Sequence, residues 1–144
     1  MRRAIETGDA IAGMLGVRAQ VDADWDEQCF GDWDGESVGL LAARHPQELR
    51  SFREDPHYSR PGGEAHVLLQ ARVLAAFDRA NSVGGTVVVV SHRKPIVTVL
   101  SHVLGIPHDR IWRMATSPAS LTCIEVRADG RPSVAFVNDT SHLR

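Results

Sequence analysis

The feature that most constrains the fold is the run Thr86-Val-Val-Val-Val90, which passes directly into Ser91-His92-Arg93-Lys94-Pro95. Every residue of the run is β-branched and it shows no polar face. A strand with one wet side alternates, so this pattern suits a parallel strand covered on both faces. Pro95 marks the start of a following helix, which carries Ile96, Val99, Leu100 and Val103 to a stop at Gly105. The longest apolar stretch, near Thr86 to Val90, is far too short to cross a bilayer. A buried strand feeding a helix predicts an α/β domain.

The rest of the chain fits one such domain over residues 1–144, with no repeat, linker or low-complexity tract. Residues 1–15 read as an amphipathic helix through Ile5, Ile11, Met14 and Leu15, ended by Gly16. It starts without a capping side chain, and Arg2 and Arg3 sit where the helix dipole favours acids. An acidic, aromatic loop spans Asp22 to Glu36, and short helices follow over 37–44 and 46–54, the second opened by Pro46. The periodicity of Leu69, Val73, Ala76, Phe77 and Ala80 predicts a helix over 64–80. Strands over 121–126 and 133–137 flank Asp129-Gly130, a hairpin signal.

With 43% hydrophobic and 24% charged residues, the composition is that of a folded globular protein. The net charge of −2 supplies no global attraction to nucleic acid or an anionic membrane, so any anion site must be a local cluster. Arg2 and Arg3 are followed by Glu6 and Asp9 and not by an apolar segment, which is unlike a signal peptide. Cys29 and Cys123 lie far apart in no metal-ligand spacing and read as reduced thiols of a cytoplasmic protein.

Three constellations carry chemistry. His92 stands where a strand ends and a helix begins, the place where α/β sheets bind ligands and helix N–H groups attract anions. A loop histidine bonded to nearby backbone is the plain alternative. In Asp24-Trp-Asp-Glu-Gln-Cys-Phe-Gly-Asp-Trp-Asp-Gly35, Glu27 can donate a proton if burial raises its pKa. The alternatives are a solvated acidic loop or a calcium site, and the carboxylate spacing does not fit an EF-hand. The arginines of Arg2-Arg3-Ala-Ile-Glu-Thr7 and Arg60-Pro-Gly-Gly-Glu64 can fork onto phosphate oxygens, or be ordinary surface charges.

Taken in order, these segments resemble the histidine phosphatase superfamily, also called phosphoglycerate-mutase-like. Arg2 to Thr7 is similar to the end of its Ser-x-x-x-Arg-Ala-x-x-Thr-Ala motif, with Gly8 in place of the last Ala. Glu27, Phe30-Gly31 and Trp33-Asp-Gly35 resemble its Glu-x-x-Phe-Gly-x-Trp-Glu-Gly stretch, and Pro61-Gly-Gly-Glu64 its Pro-Gly-Gly-Glu. Val89-Val-Ser-His92 resembles the strand bearing its second catalytic histidine, and Val137 to His142 its C-terminal ending. The form is most similar to acid phosphatase and α-ribazole-phosphatase-like members. The resemblance implies a three-layer α/β/α sandwich with a mostly parallel sheet. It makes Arg3 a phosphate ligand, Glu27 the proton donor and His92 the second pocket histidine. Glu64 becomes structural or borders the substrate mouth, and Arg93 replaces a common Gly at the pocket lip. It also implies a small phosphorylated metabolite or phosphate as ligand, no cofactor and no metal, no nucleic-acid or membrane partner, and is compatible with a homodimer.

The family's defining Arg-His-Gly, whose histidine attacks phosphorus, occurs nowhere in these 144 residues. Arg44-His45-Pro46 follows the acid loop and is no substitute. By resemblance the segment that carries it is also a core strand beside Val87 to Val90. Persistence of Arg3, Glu27 and His92 favours an N-terminally truncated phosphomonoesterase over a degenerate relative. The expectations are then negligible turnover by this chain, with a non-catalytic phosphate-binding module or a partner-binding module as the other readings.

Overall fold

A computed structural model describes residues 1–144 as a mixed α/β chain. Five helices precede a hairpin: α1 (Arg2–Leu15), α2 (Val38–Arg44), α3 (Pro46–Glu54), α4 (His66–Val83), α5 (Arg93–Leu104), β1 (Leu121–Val126) and β2 (Pro132–Asp139). Short 3₁₀ turns lie at Ala23–Trp25, Gly31–Trp33, His108–Arg113 and Ser141–Leu143. No helix is long and apolar enough to cross a membrane.

The local signals act as their chemistry requires. Ser37 caps α2 by accepting from the Leu40 N–H at 3.2 Å, an interaction worth about 1 kcal/mol. Pro46 occupies the first turn of α3, where its missing N–H costs nothing. Gly105, left-handed at φ 65°, ends α5 while Ile106 N–H donates to Ser101 O and Gly105 N–H to His102 O, the paired bonds of a Schellman motif. α5 begins at Arg93, two residues before the proline that signals it, because Pro95 fits anywhere in a first turn.

Two apolar clusters hold the molecule. α4 and α5 join through Leu69, Val73 and Val99, with Trp25, Phe77, Val103 and Ile124 around them. Full burial of one such side chain is worth roughly 1.5–3 kcal/mol. The second cluster, Leu41, Leu49 and Phe52, gathers Phe30, Trp33, Tyr58 and Trp112. It fixes the acidic loop on α2 and α3.

The hairpin is antiparallel, with Glu125 opposite Ser133 and irregular register near Cys123. The segment 86–90 differs from expectation. It is extended, yet none of its residues makes a backbone–backbone hydrogen bond. Val87, Val88 and Val89 are 43, 58 and 40% exposed, and not covered on both faces. The physical reason is that no strand lies beside it: the only sheet is the β1–β2 pair, whose β1 edge is also free. Helix α1 likewise buries only Ala12, leaving Met14 and Leu15 exposed. Between 86–90 and β1 is a cleft of about 400 Å³, reached by Val87, Val89 and Ser91 from one segment and Thr122, Ile124 and Val126 from the other. Every second residue of each segment faces it, the periodicity of two extended walls.

Candidate active site

The acidic loop is held by two side chains from α4, Arg72 and Arg79. Arg72 forks onto Glu64, Nε to Oε1 and Nη2 to Oε2, both at 2.8 Å. The same guanidinium donates to the backbone oxygens of Asp24 and Asp26 at 2.8 Å and of Glu27 at 3.2 Å. Glu64 is thus an anchor for Arg72. Its own N–H donates to Cys29 O at 2.9 Å, and its carbonyl accepts from Gln28 Nε2 at 2.8 Å. Arg79 adds contacts to Asp22 and Asp24.

The Phe-Gly and Pro-Gly-Gly-Glu motifs meet in space. Phe30 bridges Gly63, and Gly31 has φ 54° with Pro61 O so close that a Cβ would lie 2.2 Å from it. Only glycine fits there. Arg60, which could have forked onto phosphate, instead is 2% exposed and donates Nε to Phe30 O and Nη2 to Cys29 O.

This frame presents Glu27 to the start of α5. Glu27 Oε1 accepts from Gln28 N–H at 2.9 Å and Lys94 N–H at 3.1 Å. Burial raises its pKa, while those two N–H groups and the charges of Lys94 and Arg3 partly offset the rise. Ser91 Oγ donates to Trp25 O at 2.7 Å, fastening the end of 86–90 to the loop. His92, 6% exposed, occupies the N-cap of α5, and its Nε2 has no partner. Burial lowers its pKa, helped by Arg3 and the Met1 ammonium and opposed by Asp26, which favours the neutral ring overall. Arg3 is exposed on α1 and makes no side-chain hydrogen bond.

Arg3, far from both in sequence, therefore acts on Glu27 and on His92. Arg93 contacts the segment after α5: Nη2 donates to Met114 O at 3.2 Å and its guanidinium lies 5.7 Å from the Trp112 ring centre. Sequence reasoning missed Arg72 entirely, because nothing in its surroundings in α4 separates it from a surface arginine. It noted Lys94 only as a neighbour of His92, whereas the side chain is 2% exposed. No three His, Cys, Asp or Glu side chains gather in a way that could hold a metal ion. Both cysteines are free thiols.

A family model described as histidine phosphatase superfamily (branch 1) matches residues 1–140. The bifunctional protein Rv2228c of Mycobacterium tuberculosis is 35% identical over 145 residues, covering 99% of this chain and 40% of that protein. Phosphoserine phosphatase 1 of Hydrogenobacter thermophilus is 29% identical over 116 residues, 78% of this chain and 54% of that one. The chain thus spans about half or less of these curated relatives. Among solved structures, Bacillus stearothermophilus YhfR superposes with TM-score 0.86 at 29% identity, over 99% of this chain and 72% of its own.

Proposed function

The chain belongs to the histidine phosphatase superfamily, branch 1, and we propose that its site serves hydrolysis of phosphomonoesters through a phosphohistidine. The observation that carries this reading is the Glu27 carboxyl, its pKa raised by burial, held against the start of α5, the helix whose N-cap is His92 with its Nε2 unpartnered. Arg3 supplies an unpaired guanidinium for phosphate oxygens. His92 Nε2 holds the phosphoryl group. A nucleophilic histidine attacks phosphorus and the ester P–O bond breaks as Glu27 gives its proton to the leaving oxygen. Water then attacks the phosphohistidine, losing a proton to Glu27 and releasing phosphate. The family match over residues 1–140 supports reading them as one domain.

No Arg-His-Gly is present to supply that nucleophile. In this reading it comes from a strand outside these 144 residues, seated in the cleft between 86–90 and β1. The unpaired, exposed valines and the free β1 edge support that seat. Loss of a covalent nucleophile has cost on the order of 10⁶-fold in kcat in a protease, so the 144-residue chain alone is expected to bind phosphate with negligible turnover.

The test compares hydrolysis of a generic aryl phosphate by this chain and by any longer native form. Activity confined to the longer form, and lost in Glu27→Ala, is the expected result. Turnover by the 144-residue chain that His92→Ala abolishes would overturn the external-nucleophile reading. A longer form that binds vanadate through Arg3 and never turns over would make the protein a phosphate-binding module.

A further inference from the structure

Arg60, Lys94 and His108 lie around the Phe52–Trp112 ring pair, whose centroids are 5.2 Å apart, and His66 lies against His108. Arg60 and Lys94 are each 2% exposed and neither takes part in an ion pair: the chain's salt bridges all involve other residues. Lys94 Nζ, Arg60 Nη1, His66 Nδ1 and His108 Nδ1 are buried without hydrogen-bond partners. Rings cover the charges. The Arg60 guanidinium lies 4.1 Å from the Phe52 centre and 4.9 Å from Trp33. The Lys94 ammonium lies 4.2 Å from Trp112 and 5.4 Å from Phe52. The imidazoles of His66 and His108 lie 4.3 Å apart with their planes inclined by 42°, and His108 meets Trp112 edge-on at 6.2 Å.

Ring faces attract cations but accept no conventional hydrogen bond, so the polar hydrogens stay unmet. Two buried cations without an anion are costly, and buried charges are as a rule paired. The groups also oppose one another: Arg93 and Arg60 disfavour the Lys94 charge, and Lys94 disfavours protonation of both histidines. The carboxylates that act favourably are Glu27 on Lys94, Asp34 on Arg60, and Asp55 and Asp109 on His108, yet none makes a salt bridge with these bases. Water could satisfy the imidazole nitrogens but would leave the charge uncompensated.

We propose that Arg60, Lys94, His66 and His108 form a second anion site, separate from Arg3 and His92, which takes a carboxylate or phosphate group. Lys94 follows His92 by two residues, but its side chain lies over the Trp112 and Phe52 rings while its backbone N–H touches Glu27. The new site therefore adjoins the proton donor. The anion is either a free oxyanion or a second acidic group on the leaving part of a phosphomonoester; the latter source alone rests on the phosphatase reading.

Calorimetric titration of the chain with inorganic phosphate tests this. Two equivalents are expected in the unmodified protein. Arg3→Ala should remove one and Lys94→Met the other, each weakening its own site at least tenfold. One equivalent only, lost in Arg3→Ala and untouched by Lys94→Met, overturns the second site while leaving the phosphatase site intact. A single equivalent in the unmodified protein that Lys94→Met removes and Arg3→Ala leaves untouched refutes the phosphatase site instead. The unmodified protein gives a check independent of variant folding: phosphate should raise the pH at which the His66 and His108 ring resonances titrate, relative to chloride. Unmoved resonances overturn the proposal. An aryl phosphate bearing a carboxylate separates the sources, because it displaces the second phosphate only if one ester reaches both sites.

Discussion

The backbone N–H of Lys94 donates to Glu27 Oε1 over 3.1 Å, joining the first turn of α5 to the acidic loop. One residue thereby serves two surroundings. Its main chain steadies the candidate proton donor, and its side chain carries a cation into an aromatic enclosure.

That enclosure makes stability depend on pH. Burial, with Arg93 and Arg60 nearby, lowers the Lys94 pKa from 10.5 to about 7. For a base with a depressed folded pKa, the charged form is favoured in the unfolded chain. Stability is then fully present above 10.5 and is lost as pH falls toward 7. In chloride buffer without phosphate, unfolding free energy should rise between pH 7.5 and 9.5, by up to about 1.4 kcal/mol per pH unit. Lys94→Met should flatten that rise. Denaturant melts of both proteins across this range check it, and parallel slopes would contradict it.

Arg72 is expected to be the main mechanical support of the site. Arg72→Met leaves the Glu64 carboxylate and three loop carbonyls without their donor. Arg72 and Glu64 side chains are about four-fifths buried, so a loss of about 2–3 kcal/mol is expected. Phosphate affinity should fall with it, although Arg72 does not face His92. Urea unfolding together with calorimetry measures both; unchanged affinity would refute the supporting role.

Gly31→Ala probes the junction of the two glycine-bearing motifs. A Cβ there would collide with Pro61 O, and φ 54° disfavours any side chain. The collision is with backbone and cannot be relieved by a rotamer change. Destabilisation of about 2 kcal/mol or more is expected, against little change for Gly39→Ala, which meets nothing within 4 Å. Equal melting curves for the two variants would exclude the predicted contact.

The exposed valine segment should govern self-association. Val88 is 58% exposed in a segment with no paired backbone, and such edges template aggregation. Val88→Lys should lower sedimentation-detected oligomers of the 144-residue chain while changing stability by less than about 0.5 kcal/mol. An unaltered size distribution would show that the valines do not drive association.

Local chemistry was legible in the sequence because its causes are local. Apolar spacing, Ser37, Pro46, Gly105 and the Asp129-Gly130 turn act on neighbouring backbone, and they determined the helices and the hairpin close to their observed bounds. The order of Glu27, Pro61-Gly-Gly-Glu64 and His92 likewise carried the family and the candidate acid. Other properties depend on what lies across the fold. A run of valines specifies an extended strand, but only neighbouring strands bury it, and here 86–90 has none. Arg60, Arg72 and Lys94 are ordinary cations in sequence. Tertiary packing alone turned Arg72 into a clamp and placed Arg60 and Lys94 among aromatic rings, because burial and partners belong to the folded surroundings and not to a residue type.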